Sequence, residues 1–178
     1  MRKLKLQELN RVSVQEFKRQ VKNPIVIVLD NVRSALNVGS AFRTSDAFAL
    51  EKIYLCGITA TPPHREILKT AIGATESVDW IYEKTTIDAL ATLKKEGYTL
   101  IAIEQAEGSI ALQNFDIQTD TKYALIFGNE VSGVSEAVMQ VVDFCIEIPQ
   151  YGTKHSLNIS VCAGIVIWEF FKNIKFPA

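Results

Sequence analysis

The side chains on which metal and thiol chemistry depend are scarce in this chain. Its 178 residues include three cysteines and two histidines. Cys56, Cys145 and Cys162 lie far apart, form no CxxC pair and each sit in an apolar run, so they read as buried structural thiols. Adding His64 and His155 gives no recognised zinc-ligand spacing, and no metal is expected. No apolar run reaches the ~18 residues of a membrane span. The first ten residues, MRKLKLQELN, alternate charge with leucine where a secretory signal needs an unbroken apolar stretch. These absences lead us to expect a cytoplasmic protein with neither a membrane nor a metal partner.

Three common catalytic signatures are missing as well. Gly128 to Ser135 (GNEVSGVS) has the GxxxxG spacing of a phosphate loop, but Val134 stands where that loop needs lysine, which argues against nucleotide hydrolysis. The first apolar run ends in Asp30-Asn31-Val32-Arg33-Ser34 with no GxGxxG, so the dinucleotide fingerprint is absent. Ser156 follows His155 without a GxSxG elbow, which counts against a hydrolase.

What the chain does have is an alternation of strand-like and helix-like segments. Pro24–Asp30, Lys52–Cys56, Val78–Tyr82, Tyr98–Glu104, Lys122–Phe127 and Phe144–Ile148 are rich in β-branched and aromatic residues and read as strands. Val38–Ala49, Arg65–Ile72, Ile87–Glu96 and Ser135–Val142 read as helices between them, and Asn158–Lys172 as the last helix. Runs such as IVIVL are apolar on both faces, as parallel strands covered by helices require. With 48% hydrophobic residues the chain can bury one full core. The expected class is an open, parallel-sheet α/β fold with ligands at the strand C-terminal ends.

Charge is distributed unevenly. Residues 1–22 carry Arg2, Lys3, Lys5, Arg11, Lys18, Arg19 and Lys22 against Glu8 and Glu16, a net +5, while the remainder holds twelve cations against eighteen carboxylates, a net −6. Ser13 and Glu16 have the spacing of a capping box, and Val14, Phe17 and Val21 share one helical face. The basic helix is read either as a phosphate contact or as a solvated face over the body. The division expected is a basic arm at 1–22 and one domain at 23–178.

Polar residues concentrate where two of the strands end. Asn129 and Glu130 follow Lys122–Phe127; Lys154, Ser156 and Asn158 follow Phe144–Ile148. Together with Asn37-Val38-Gly39-Ser40-Ala41-Phe42-Arg43-Thr44, Gly128-Asn129-Glu130 with Gly133, and Ile148-Pro149 followed by Ser156-Leu157-Asn158, they form three motifs whose order and spacing resemble those of the SpoU (TrmH-like) RNA 2′-O-methyltransferases over roughly residues 24–172.

That resemblance implies a SPOUT-superfamily fold with a deep trefoil knot near the C-terminus, and S-adenosyl-L-methionine as cofactor. It places the cofactor among Ile103 and Glu104, the Gly128-Asn129 turn, and Ile148, Gln150, Ser156 and Leu157. Backbone groups would read the adenine edge and apolar side chains its faces. Gln150 departs from the methionine that often follows Ile-Pro in the family. The reaction implied is methyl transfer to a ribose 2′-hydroxyl of tRNA or rRNA, with Arg43, Asn37, Glu130, Ser156 and Asn158 as catalytic residues. With a pKa above ~12.5, arginine as a base costs about 7 kcal/mol at neutral pH, so Arg43 is expected to clamp phosphate and ribose oxygens. Asn37 is expected to orient Arg43 or the ribose, or alternatively to cap the helix Val38–Ala49. Glu130 would accept hydrogen bonds from Asn37 or backbone amides, or else be a surface residue at a turn; Ser156 and Asn158 are also natural caps for the last helix. The resemblance further implies a homodimer, and an RNA-binding or assembly protein that has lost methyl transfer is the alternative.

Overall fold

Strand β1 (Asn23–Asp30) is apolar on both faces because both are covered. Ile25, Ile27 and Leu29 enter one buried cluster and Val26 and Val28 the other, as the two-residue period of a strand dictates. Burying each such side chain contributes about 1.5–3 kcal/mol, and a one-residue slip would exchange the two sets between differently packed clusters. The molecule is a computed structural model that describes residues 1–177.

Around β1 the chain builds β2 (Leu50–Cys56), β3 (Asp79–Glu83), β4 (Tyr98–Ile103), β5 (Ile110–Ala111), β6 (Lys122–Phe127) and β7 (Phe144–Glu147). All pairings are parallel, in the order β3-β2-β1-β6-β4-β7-β5. The helices are α1 (Val14–Arg19), α2 (Ala35–Ala47), α3 (Arg65–Ala71), α4 (Ala74–Ser77), α5 (Thr86–Lys95), α6 (Glu136–Met139) and α7 (Ile159–Lys175). Val38 and Phe42 of α2 and Ala163, Val166, Ile167 and Phe170 of α7 cover one face, while Ala89, Leu90 and Leu93 of α5 and Val138 of α6 cover the other. The expected parallel α/β sheet is therefore the observed one. No helix among the described residues is long and apolar enough to cross a membrane.

Several boundaries differ from those read in the sequence. Helix α2 starts at Ala35 rather than Val38, because Ser34 is its cap and its hydroxyl accepts from the Asn37 amide at 3.3 Å. Asn37 therefore lies inside the first turn and does not cap the helix. The expected helix Ser135–Val142 is confined to Glu136–Met139. Asp143 ends it: its amide donates to the Leu100 carbonyl at 2.9 Å and its carboxylate accepts from the Leu100 amide at 2.8 Å, drawing the chain into β7. The Ser13–Glu16 capping box is present, with the Ser13 amide donating to the Glu16 carboxylate at 2.8 Å. Only part of the apolar face expected for this helix packs down: Phe17 is buried, whereas Val21 lies beyond the helix end and is 96% exposed.

Candidate active site

The C-terminal ends of β1, β6, β4 and β7 lie side by side, so the loops leaving them converge. After β6 the chain makes a tight turn in which Asn129 and Gly133 exchange backbone hydrogen bonds, both at 2.9 Å. Asn129 Oδ1 caps the turn by accepting from the amides of Val131 and Ser132, and its Nδ2 donates to the Asn31 carbonyl at 2.8 Å. Gly128 is required by packing: a Cβ there would stand 2.1 Å from the Gly133 carbonyl carbon and the Val134 nitrogen, both backbone atoms.

Two carboxylates anchor this turn from below. Glu104, just past β4, accepts from the Val134 amide at 3.0 Å. Asp30, at the end of β1 and 1% exposed, accepts from the Ser135 amide and the Asn31 side chain at 2.9 Å each, and from the Thr86 hydroxyl. A buried carboxylate is tolerable only with its oxygens satisfied, and these three donors satisfy them. The sequence reading overlooked Asp30. Its signal was a charged residue ending an otherwise apolar strand.

Two of the motifs meet on Glu130, and the third joins them through Asn37. Its carboxylate accepts from the Arg33 amide at 2.9 Å, the Ser34 amide at 3.0 Å and Asn37 Nδ2 at 2.9 Å. Burial pushes the Glu130 carboxyl up, but the Arg33 amide, the Asn37 side chain and further backbone amides outweigh it and hold it below the usual carboxylate range. Asn37 Oδ1 in turn accepts from Asn158 Nδ2 at 3.3 Å, and Asn158 Oδ1 accepts from the Ser160 amide at 2.9 Å as the cap of α7. Asn158 thus both caps a helix and joins the network. Ser156 is no cap; it lines the cavity described next.

Between these loops lies a cavity of about 670 Å³. Its lining includes Ile103, Glu104, Gly128, Asn129, Glu130, Ile148, Gln150, Ser156, Leu157 and Asn158, all of them singled out in the sequence, and also Gln105, Glu147, His155 and Cys162. Gln105 Nε2 donates to the His155 carbonyl at 2.7 Å and ties the loop after β7 to the end of β4. Burial pushes the Cys162 thiol up to about 11, assisted by Glu104, so it is inert at neutral pH. Cys56 lies buried in β2 and its thiol is pushed up to about 12, again mainly by burial. Among the described residues no cluster of His, Cys, Asp and Glu could hold a metal ion.

Arg43 is the exception to this convergence. Six residues along a helix of 3.6 residues per turn turn the side chain through about 240° from Asn37, so the two leave α2 on different faces. Arg43 is exposed, forms no ion pair among the described residues and does not line the cavity. Asn37 bonds Glu130 and Asn158 and does not orient Arg43, contrary to one expectation from the sequence.

The sequence and the fold are similar to those of known proteins. Residues 24–168 match the model of the SpoU rRNA Methylase family. The chain is 29% identical over 163 residues to a protein of Staphylococcus saprophyticus provisionally named a TrmH family tRNA/rRNA methyltransferase, covering 92% of this chain and 64% of that protein. It is 28% identical over 153 residues to the tRNA (guanosine(18)-2'-O)-methyltransferase of Borreliella burgdorferi, covering 86% and 68%. Its fold matches the crystal structure of an AdoMet-bound rRNA methyltransferase from Sinorhizobium meliloti with a TM-score of 0.79 at 25% identity, over 94% of this chain and 62% of that one. The chain thus spans a little under two thirds of the Staphylococcus relative and of the Sinorhizobium structure. A family match over most of the chain, on a sheet whose strand ends gather all three motifs, means that this chain belongs to the SpoU rRNA Methylase family.

Proposed function

We propose that the protein is an S-adenosyl-L-methionine-dependent RNA methyltransferase that modifies a ribose 2′-hydroxyl of tRNA or rRNA. The observation that carries this is the charge and shape of the cavity over β4, β6 and β7. Its volume falls within the range of about 300–1,000 Å³ of small-molecule sites. Ile103, Ile148 and Leu157 supply apolar surface for a flat ring, and the chain at Gly128 and at Gln150 supplies backbone groups. Glu104, Glu130 and Glu147 line it and no lysine or arginine does, which suits a ligand bearing a sulfonium and an ammonium. When bound, the cofactor supplies an electrophilic methyl group.

The protein's own residues do the remainder. Glu130, Asn37 and Asn158 lock the loops together so that the ribose meets a fixed wall, and alignment of this kind accounts for several kcal/mol of a barrier. Ser156 and Asn158 both line the cavity, and in this reading they face the incoming ribose hydroxyl. Arg43 clamps a phosphate and ribose oxygens as a fixed cation, and the hydroxyl proton leaves to a phosphate oxygen or to water.

Since Arg43 faces away from its own cavity, the working unit is a homodimer in which Arg43 of one subunit serves the cavity of the other. The outer side of α7 supports this, for Val161, Ile165 and Trp168 stand exposed at helical spacing beside α2. The segment after β7 forms a trefoil knot. What supports the threading is that β6 and β7 flank β4, and that Asn158 then returns to bond Asn37 on the α2 side. Residues 1–22 form a basic arm that adds phosphate contacts to the 23–178 domain, and the protein works in the cytoplasm.

The test is calorimetric titration with S-adenosylmethionine followed by labelled-methyl transfer into separated tRNA and rRNA pools, with nuclease digestion to locate the label on ribose. Cofactor uptake with 2′-O-methylated nucleoside is the expected result. RNA binding without cofactor uptake would replace this reading with that of a binding or assembly protein.

A further inference from the structure

A second hollow, about 450 Å³, lies on the outer side of α2 against α3 and is lined by Ser40, Arg43, Thr44, Ala47, Phe48, Lys69 and Thr70. It is a built groove. Gly39 lets the two helices touch: a Cβ there would stand 2.2 Å from Thr70 Oγ1 and 2.3 Å from the Ile67 carbonyl oxygen. Into that close contact the hydroxyls of Ser40 and Thr70 both donate to the Leu36 carbonyl, at 3.0 and 2.9 Å. The two walls are therefore fixed, and with them the backbone positions of Arg43 on one and Lys69 on the other.

The charge of this groove is unbalanced. Among the described residues neither Arg43 nor Lys69 forms an ion pair, and no carboxylate lines the groove. The Thr44 hydroxyl makes no side-chain hydrogen bond among the described residues. Two like charges on one hollow repel unless an anion sits between them. Ala47 and the Phe48 ring, itself backed by Phe171 at 4.9 Å and Trp168 at 5.8 Å, add a rigid apolar surface next to the cations. Cations beside an aromatic surface match one nucleotide: phosphate on the charges, sugar or base on the ring.

We propose that the α2–α3 groove seats one nucleotide of the RNA strand, its phosphodiester held jointly by Arg43 and Lys69, and that Lys69 is a substrate-positioning residue. This rests on the RNA methyltransferase reading above. The Arg43 clamp thereby becomes one half of a two-cation site, with α3 supplying the other.

The experiment uses the full chain and unfractionated tRNA, with binding followed by fluorescence anisotropy between about 50 and 200 mM potassium chloride. One phosphate contact contributes about 0.7–0.9 to the slope of log affinity against log salt, so Lys69→Ala is expected to reduce the affinity change across that range by about 2.5- to 3.5-fold. Lys69→Arg restores the wild-type slope, and cofactor affinity by calorimetry stays the same in both variants. The idea fails if Lys69→Ala keeps the wild-type slope, or if sedimentation shows that the substitution dissociates a dimer, which would make the groove a protein contact. Loss of the Lys69 effect alongside intact wild-type methyl transfer overturns this proposal alone. A wild-type protein that shows the Lys69 effect but transfers no methyl group overturns the enzymatic reading alone.

Discussion

The cavity over β4, β6 and β7 is walled by Glu104, Glu130 and Glu147 without a lysine or arginine, whereas the groove between α2 and α3 carries Arg43 and Lys69 without a carboxylate. They also differ in how far their side chains are already committed. In the cavity Glu104, Asn129, Glu130 and Asn158 are all bonded to other parts of the protein, so their geometry is set before any ligand arrives. In the groove neither cation has an ion-pair partner among the described residues. The first is preorganised for a compact molecule that must be held in one orientation. The second is an electrostatic landing place, and a flexible polyanion is suited to it. Under the proposed function, a methyl donor with net positive charge and an RNA acceptor would thus be sorted by sign before either is recognised by shape.

That contrast can be broken most sharply at Arg43. Arg43→Ala is expected to lower kcat/KM for RNA by about 10²–10³-fold, the usual cost of removing one donor from an electrostatic site, with cofactor affinity little changed. An equal loss of cofactor binding, measured by calorimetry, would show that the two hollows are not functionally separate.

Glu130 probes the committed side. Glu130→Ala frees the amides of Arg33 and Ser34 and the Asn37 side chain, and a misplacement of about 1 Å costs about 10²-fold in rate, read as kcat in single-turnover methyl transfer. The same carboxyl gives a pH dependence of stability. Its folded pKa lies below the unfolded value of about 4.3, so the stabilisation is complete above that value and is lost as pH falls through the folded pKa. Thermal midpoints of wild type are therefore expected to fall more steeply below about pH 4 than those of Glu130→Gln; parallel curves would remove Glu130 from the account.

The smallest effect expected is at the turn. Gly128→Ala drives a methyl group into the Gly133–Val134 backbone and should weaken cofactor binding by about tenfold, or ~1.4 kcal/mol, while leaving the salt dependence of RNA binding untouched. A change in that salt dependence would mean that the cavity and the groove are mechanically coupled.

The sheet was largely legible in advance because its signal is local. IVIVL in β1 and YALIF in β6 are apolar at every position, and only strands covered on both faces need that. The helix at Ser135–Val142 and the strand Ile110–Ala111 were not legible in the same way. The former is cut short by a bond from Asp143 to Leu100, 43 residues away, and the latter is two residues defined only by pairing with β7. Within the site, the spacing of the motifs named Asn37, Glu130 and Asn158, but not their geometry. Asp30 and Lys69 passed unnoticed because each belongs to no motif and acquires its place only from helices and strands distant in the chain.

The sequence by itself determined the parallel α/β architecture, the motifs, and the absence of phosphate-loop, dinucleotide and hydrolase signatures, since all of these depend on residue type and short spacing. Only the tertiary structure decided that Asn37 and Arg43, six residues apart on one helix, serve opposite sides of it. Helical rotation fixes their directions, but what lies in each direction depends on packing: the Glu130 turn on one side, α3 with Lys69 on the other.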